Sequence, residues 1–214
     1  MSAVELRSGA VATAIRAHRL IVVLRRVEPQ DRLLALVTAL ADAGVRAFEI
    51  TMDGSRAADD VAAARSHLSS RPDGPFLVGA GTILRRGQLD DARRAGADFG
   101  VAPLLDPELV AAAVADGMPF VPGAMTPTEA SSAWDAGATF VKLFPASAVG
   151  PSFVRELRGP LPEVALIPTG GIDAGNARAF LDAGAAAVGI GGAIVRASAA
   201  EQAEIVRSVV ERAS

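Results

Sequence analysis

The stretch Thr126-Pro127-Thr128-Glu129-Ala130-Ser131-Ser132-Ala133-Trp134-Asp135-Ala136-Gly137-Ala138-Thr139-Phe140-Val141-Lys142-Leu143-Phe144-Pro145 holds one complete helix-to-strand unit, and its reading decides the fold. Thr126-Pro127-Thr128-Glu129 sets a capping residue before a proline at the first helical position. Ala136-Gly137 ends the helix, because glycine at C′ takes the left-handed conformation and turns the chain back. Phe140–Phe144 then reads as a strand, a near-continuous apolar run of the kind found where a parallel sheet is covered on both faces. Within that run stands Lys142, the only lysine of the chain; the other 20 of its 21 basic residues are arginine. Arginine cannot lose its proton in a protein, whereas a buried lysine amine can be made neutral and act as a nucleophile. A solitary lysine at a strand end suggests a Schiff-base former, against the plainer alternative of an ammonium snorkelling to water.

The same unit recurs along the chain. Ala43-Gly44, Ala95-Gly96, Asp116-Gly117 and Ala183-Gly184 repeat the helix-ending glycine before a strand, and Asp106-Pro107-Glu108 repeats the capped start. Expected strands are Leu20–Leu24, Ala47–Thr51, Phe76–Gly79, Phe99–Ala102, Phe120–Pro122, Phe140–Phe144, Ala165–Pro168 and Ala187–Ile190. Expected helices lie near Asp31–Ala43, Arg56–Ser69, Arg85–Ala95, Pro107–Ala115, Pro127–Ala136, Ser152–Leu157 and Gly175–Ala183. A last helix runs from about Ala200 to Arg212, and an extra one precedes the first strand. Strands alternating with helices eight times over give an α/β fold, a single-domain (β/α)8 TIM barrel spanning residues 1–214. A doubly wound open sheet is the alternative, since the pattern alone does not show closure.

Composition bounds the function. Half of the 214 residues are hydrophobic and only 4% are aromatic, so Val, Leu, Ile and Ala must build the core. A net charge of −3 argues against a nucleic-acid partner or an anionic membrane surface. There is no cysteine, and His18 and His67 stand far apart without partners at metal-ligand spacing, so neither a metal site nor a cofactor is expected. Met1 to Ala17 is alanine-rich with scattered charge, and no apolar run approaches the ~20 residues that span a membrane. A soluble cytoplasmic protein is the expectation.

In a barrel of this kind chemistry gathers at the C-terminal ends of the strands. The first strand ends in Arg25-Arg26. The second carries Glu49 in apolar sequence, where a carboxylate is paired, protonated or working. The third ends Gly79-Ala80-Gly81-Thr82, small residues that let backbone approach a ligand. The fourth ends near Pro103 and the fifth in Pro122-Gly123. After the seventh comes Pro168-Thr169-Gly170-Gly171, then a helix expected to be capped by Asp173. The eighth ends Gly189-Ile190-Gly191-Gly192. Paired glycines after strands seven and eight stand where this fold holds a phosphate on backbone N–H groups; either pair alone reads equally well as a tight turn.

Together these motifs resemble those of the class I aldolases that cleave 2-keto-3-deoxy-6-phosphogluconate (KDPG) and 4-hydroxy-2-oxoglutarate (KHG). The resemblance rests on Glu49-x-Thr51, Gly79-Ala80-Gly81-Thr82, Pro122-Gly123 with Thr126-Pro127-Thr128-Glu129, Lys142-Leu143-Phe144-Pro145-Ala146, Pro168-Thr169-Gly170-Gly171-Ile172 with Asn176, and Gly189-Ile190-Gly191-Gly192. It covers nearly the whole chain in the family's order. It implies a homotrimer and a small, phosphorylated 2-oxoacid substrate. It also implies that Lys142 forms the Schiff base, Glu49 moves protons, Thr82 and Thr169 contact the pyruvate moiety and Pro103 shapes the pocket. Gly170, Gly171, Gly191 and Gly192 are implied to hold the phosphate. Two positions depart from the pattern. Asp53 stands where the phosphogluconate branch usually has a carboxylate-binding arginine, and Ala193 where a serine is common. The galactonate-epimer branch lacks that arginine and uses the one ending strand one, which matches Arg25. Arg25 rather than Arg26 is therefore the expected partner of the substrate carboxylate. A phosphosugar isomerase or decarboxylase, or a binding relic without turnover, are the readings set against the aldolase.

Overall fold

A computed structural model describes residues 1–210 of the chain; Glu211 and Arg212, expected to end the last helix, lie outside them. Two short helices, α1 (Ala3–Ser8) and α2 (Ala10–His18), lead into β1 (Leu20–Leu24), α3 (Gln30–Asp42), β2 (Ala47–Thr51), α4 (Ala57–Ser69), β3 (Leu77–Gly81) and α5 (Arg86–Arg94). Then follow β4 (Gly100–Val101), α6 (Pro107–Ala115), β5 (Phe120–Val121), β6 (Gly123–Ala124), α7 (Pro127–Asp135), β7 (Val141–Leu143) and α8 (Gly150–Leu157). The chain closes with β8 (Leu166–Pro168), α9 (Ala177–Asp182), β9 (Val188–Ile190), α10 (Gly192–Val195) and α11 (Ala199–Val210).

All paired strands are parallel, in the orders β5-β4-β3-β2-β1-β9 and β6-β7-β8. The two arcs form one ring. β5 continues into β6 through Pro122, whose carbonyl accepts from the Lys142 amide at 2.8 Å. Proline has no N–H to give the ladder, which is why the fifth barrel strand is split there. On the other side a parallel bridge between Thr169 and Gly189 joins β8 to β9, and β9 pairs with β1. A closed ring excludes the doubly wound open sheet.

The local signals behave as their chemistry demands. Thr126 and Glu129 cap α7 reciprocally, and the Asp106 carboxylate accepts from the Glu108 and Leu109 amides at the start of α6. Gly44, Gly96, Gly117, Gly137 and Gly184, each just past a helix, all have φ between 69° and 104°. Three details differ from expectation. The extra N-terminal helix is two helices broken at Gly9. Asp173 does not cap a helix; its Oδ1 accepts from the Gly175 amide at 2.9 Å, and α9 begins only after Asn176. A short helix, α10, follows the last strand where none was expected.

The apolar strand runs resolve into two cores. Residues facing outward, among them Val22, Phe48, Val78, Val141 and Leu166, pack under the helices. Those facing inward, Ile21, Ala47, Phe99, Val101, Val121, Phe140, Ala165, Ile167 and Ala187, fill the lower barrel, with Ala12 and Ile15 of α2 against its N-terminal end. Alternate residues of a strand share a face, so Lys142, two past Phe140, points into the ring. Among the described residues no helix is long and apolar enough to cross a membrane.

Candidate active site

Lys142 reaches across the barrel to Glu49 of β2, Nζ lying 3.4 Å from Oε1. These are the only charged residues that are buried among those described, at 6% and 3% exposure. Desolvating two charges costs about as much as their attraction returns, so a buried ion pair is weak evidence for stability alone. The pair also keeps both groups within reach of one another's protons. Beside it lies a cavity of about 10 Å3, room for about one water. Thr169 and Gly189 share its wall with Ile21, Val101, Val121 and Ile167.

Glycines set this geometry. Gly81 is paired with Thr51 on β2, and a Cβ there would collide with the Glu49 carboxylate. At Gly79 it would collide with the Phe99 ring, and at Gly189 with the Thr169 hydroxyl. The small residues of β3 thus make room for side chains of the barrel. Thr82 follows with φ 56°, a left-handed conformation that costs a β-branched residue about 1–3 kcal/mol. Neither Thr82 nor Pro103 lines the cavity beside the pair; the backbone of Pro103 instead passes directly over Gly123.

Phe144 is a residue whose role the sequence did not reveal. Its ring centroid is 5.4 Å from Lys142 Nζ, a cation–π distance. The same ring stands 3.1 Å from the Cβ position of Gly170, so it touches both the amine's surroundings and the first glycine pair. The available signal was its spacing, two beyond Lys142 on the same face. Gly170 and Gly171 have φ of 88° and 77°, a conformation L side chains rarely adopt. Their loop is pinned by the Ala146 amide to the Thr169 carbonyl at 2.9 Å and the Ser147 amide to the Gly170 carbonyl at 3.0 Å.

Farther out on the same side, Arg25 and Arg26 converge on Asp53. Asp53 Oδ2 is 3.0 Å from Arg25 Nη2 and 3.1 Å from Arg26 Nε. The carboxylate side chain is 15% exposed, while the arginines are 65% and 62% exposed. Burial pushes the Asp53 carboxyl up, but the nearby Thr51 hydroxyl, Arg25 and Arg26 outweigh it and hold the group below the ordinary carboxylate range. Asp53 is therefore an anion that gathers both arginines.

A model of the family described as KDPG and KHG aldolase matches residues 11–209. The chain belongs to the KDPG and KHG aldolase family. It is 37% identical over 179 residues to the 2-dehydro-3-deoxy-6-phosphogalactonate aldolase of Escherichia coli, covering 83% of this chain and 85% of that one. It is 38% identical over 152 residues to the 2-dehydro-3-deoxy-phosphogluconate aldolase of Haemophilus influenzae, covering 71% and 69%. The Legionella pneumophila KDPG aldolase, solved with pyruvate captured as a covalent carbinolamine, superposes with a TM-score of 0.79 at 28% identity, covering 92% and 95%. The family's barrel and the ring described above are the same architecture.

Proposed function

We propose that this chain is a class I aldolase that cleaves a phosphorylated 4-hydroxy-2-oxoacid to pyruvate and an aldehyde, through a Schiff base on Lys142. The amine yields a proton to Glu49 and attacks the C2 ketone; Glu49 returns that proton to the carbinolamine hydroxyl, which leaves as water, giving the iminium and a carboxylate free to act again. Glu49, directly or through the one water its cavity admits, takes the C4 hydroxyl proton. The C3–C4 bond breaks, its electron pair passes into the iminium, and the aldehyde leaves. Glu49 returns the proton to C3 of the enamine, and water releases pyruvate and the free amine. Thr82 and Thr169 contact the pyruvate moiety, Pro103 shapes the pocket, and Arg25 takes the carboxylate. Gly170, Gly171, Gly191 and Gly192 hold the phosphate.

The observation that carries this reading is a solitary lysine buried 3.4 Å from the only other buried charge among the described residues. Incubation with pyruvate and borohydride should add one reduced adduct, mapping to Lys142. The N-terminus is the only competing amine. No adduct, or one that persists in Lys142→Arg, would end the Schiff-base assignment.

The substrate within this class is KDPG, KHG or both; KHG is a separate, unphosphorylated 4-hydroxy-2-oxoacid whose cleavage releases glyoxylate in place of glyceraldehyde 3-phosphate. A second reading is favoured by Asp53: without an arginine there, and with Arg25 at the end of β1, the mouth suits the galactonate epimer, which the E. coli relative is named for. Rates compared across the two phosphorylated epimers and their unphosphorylated forms decide between them. The trimeric assembly implied by family likeness and the cytoplasmic location expected from the sequence belong to the same proposal, and sedimentation of the purified chain tests the first.

A further inference from the structure

We propose that Arg196 is the side chain that reads the substrate's phosphoryl group and makes this chain selective for phosphorylated 2-oxoacids. The inference rests on the aldolase reading and adds to it a residue outside the motifs that define the family resemblance. Arg196 lies one helical turn beyond Gly192. A Cβ built on Gly192 would stand 2.7 Å from Arg196 Nη1 and 3.2 Å from its Cζ. The guanidinium thus occupies the space a side chain at 192 would need, and glycine there is what admits it.

What the guanidinium ignores is as informative as what it touches. Asp173, Glu201 and Glu204 line the same cavity of about 570 Å3 as Arg196. Yet the exposed Arg196 side chain has no ion-pair or hydrogen-bond partner among the described residues. Two of those carboxylates are engaged elsewhere: Glu201 Oε2 accepts from the Ser198 amide and hydroxyl at 2.7 Å, and Asp173 Oδ1 accepts from Gly175. Arg25, Arg26 and Arg178, by contrast, are each held by an aspartate. A guanidinium that makes no direct ion pair with these carboxylates and folds back on a glycine keeps its N–H donors available to an outside anion.

Its place suits a phosphoryl group. Gly191 abuts the Val23 carbonyl of β1, and the Thr169–Gly189 bridge sets the end of β9 beside Gly170 and Gly171. Arg196 therefore adds a full charge beside Gly192, in the second glycine pair. Backbone amides carry no net charge, and Ala193 has no hydroxyl to offer. A planar guanidinium can give two parallel N–H donors to phosphate oxygens.

The test is the ratio of kcat/KM for a phosphorylated 2-keto-3-deoxy acid to that for its unphosphorylated form. Arg196→Gln should lower this ratio by roughly tenfold or more, the scale of one charge-assisted hydrogen bond, chiefly through KM. Arg196→Lys should recover part of it. Gly192→Ala keeps the charge but displaces the fork, and should lower the ratio in the same direction. An unchanged ratio in Arg196→Gln, or an equal loss on both substrates, overturns the inference while borohydride trapping of pyruvate still supports the aldolase. Failure of the wild type to trap pyruvate removes the aldolase reading itself.

Discussion

At the scale of single residues, a 2-oxoacid brings a carboxylate to the mouth of the barrel, and Asp53 decides how it is received. Ionised and already holding two guanidiniums, Asp53 repels an incoming anion, but it fixes Arg25 and Arg26 in place. Arg25→Lys keeps the charge and loses the fork. Half-saturation of adduct formation should show pyruvate binding weakened by about 1–3 kcal/mol. Arg26→Lys should have the smaller effect, because Arg25 meets Asp53 through both Nη2 and Nε and is the arginine proposed to take the carboxylate. Equal, small losses at both would leave the carboxylate without its partner. Glu49→Gln should retain the fold and the pyruvate adduct while turnover falls by roughly 10²–10⁴-fold, the range of an acid–base group. Turnover that survives the change would make the carboxylate structural.

At the scale of elements, β2 and β3 act together, since the strand with the proton carrier needs a neighbour without side chains. Gly81→Ala should leave β3 intact yet push the Glu49 carboxylate off its line to Lys142. Its turnover should fall toward that of Glu49→Gln, roughly 10²-fold or more, with the far-UV spectrum unchanged. Wild-type turnover in Gly81→Ala would mean that the carboxylate has other room. The helix-to-strand units were legible because capping residues and C′ glycines act locally: Thr126, Asp106 and the five turn glycines each satisfy a need of their own helix end. Contacts between strands were not. Nothing in Gly79-Ala80-Gly81 tells that its glycines serve Phe99 and Glu49, residues supplied by strands on either side. Nor does Arg26, adjacent to Arg25, announce that both turn to one aspartate.

At the scale of the whole molecule, the two ends of the barrel answer to different demands. The mouth keeps charges, while the floor is apolar and sealed by α2, whose last residue is His18. Burial, helped by Arg46, pulls the His18 pKa from its ordinary 6.5 down to about 4, and its Nε2 accepts from the Arg46 amide at 3.0 Å. Between those values the unfolded chain binds a proton that the folded chain refuses, so stability falls as pH drops from 6.5 toward 4 and levels off below. The loss should be about 3 kcal/mol, read as urea midpoints at pH 7 and pH 4. His18→Gln, which keeps an acceptor but does not titrate, should flatten that part of the profile. An identical slope in the variant would assign the acid sensitivity to other groups. The alternation of strands and helices was readable from repetition along the chain, whereas closure of the ring and the sealing of its floor depend on pairings and packing between residues from every part of the sequence.

The lysine count has one further consequence. An enzyme that releases an aldehyde works beside a reagent able to condense with any free amine, its own included. This chain's only side-chain amine is inside the barrel, and the other 20 residues of its Lys and Arg set are arginines, whose guanidinium stays protonated and does not form imines as lysine does. Apart from the N-terminus, the exterior offers its own product nothing to react with.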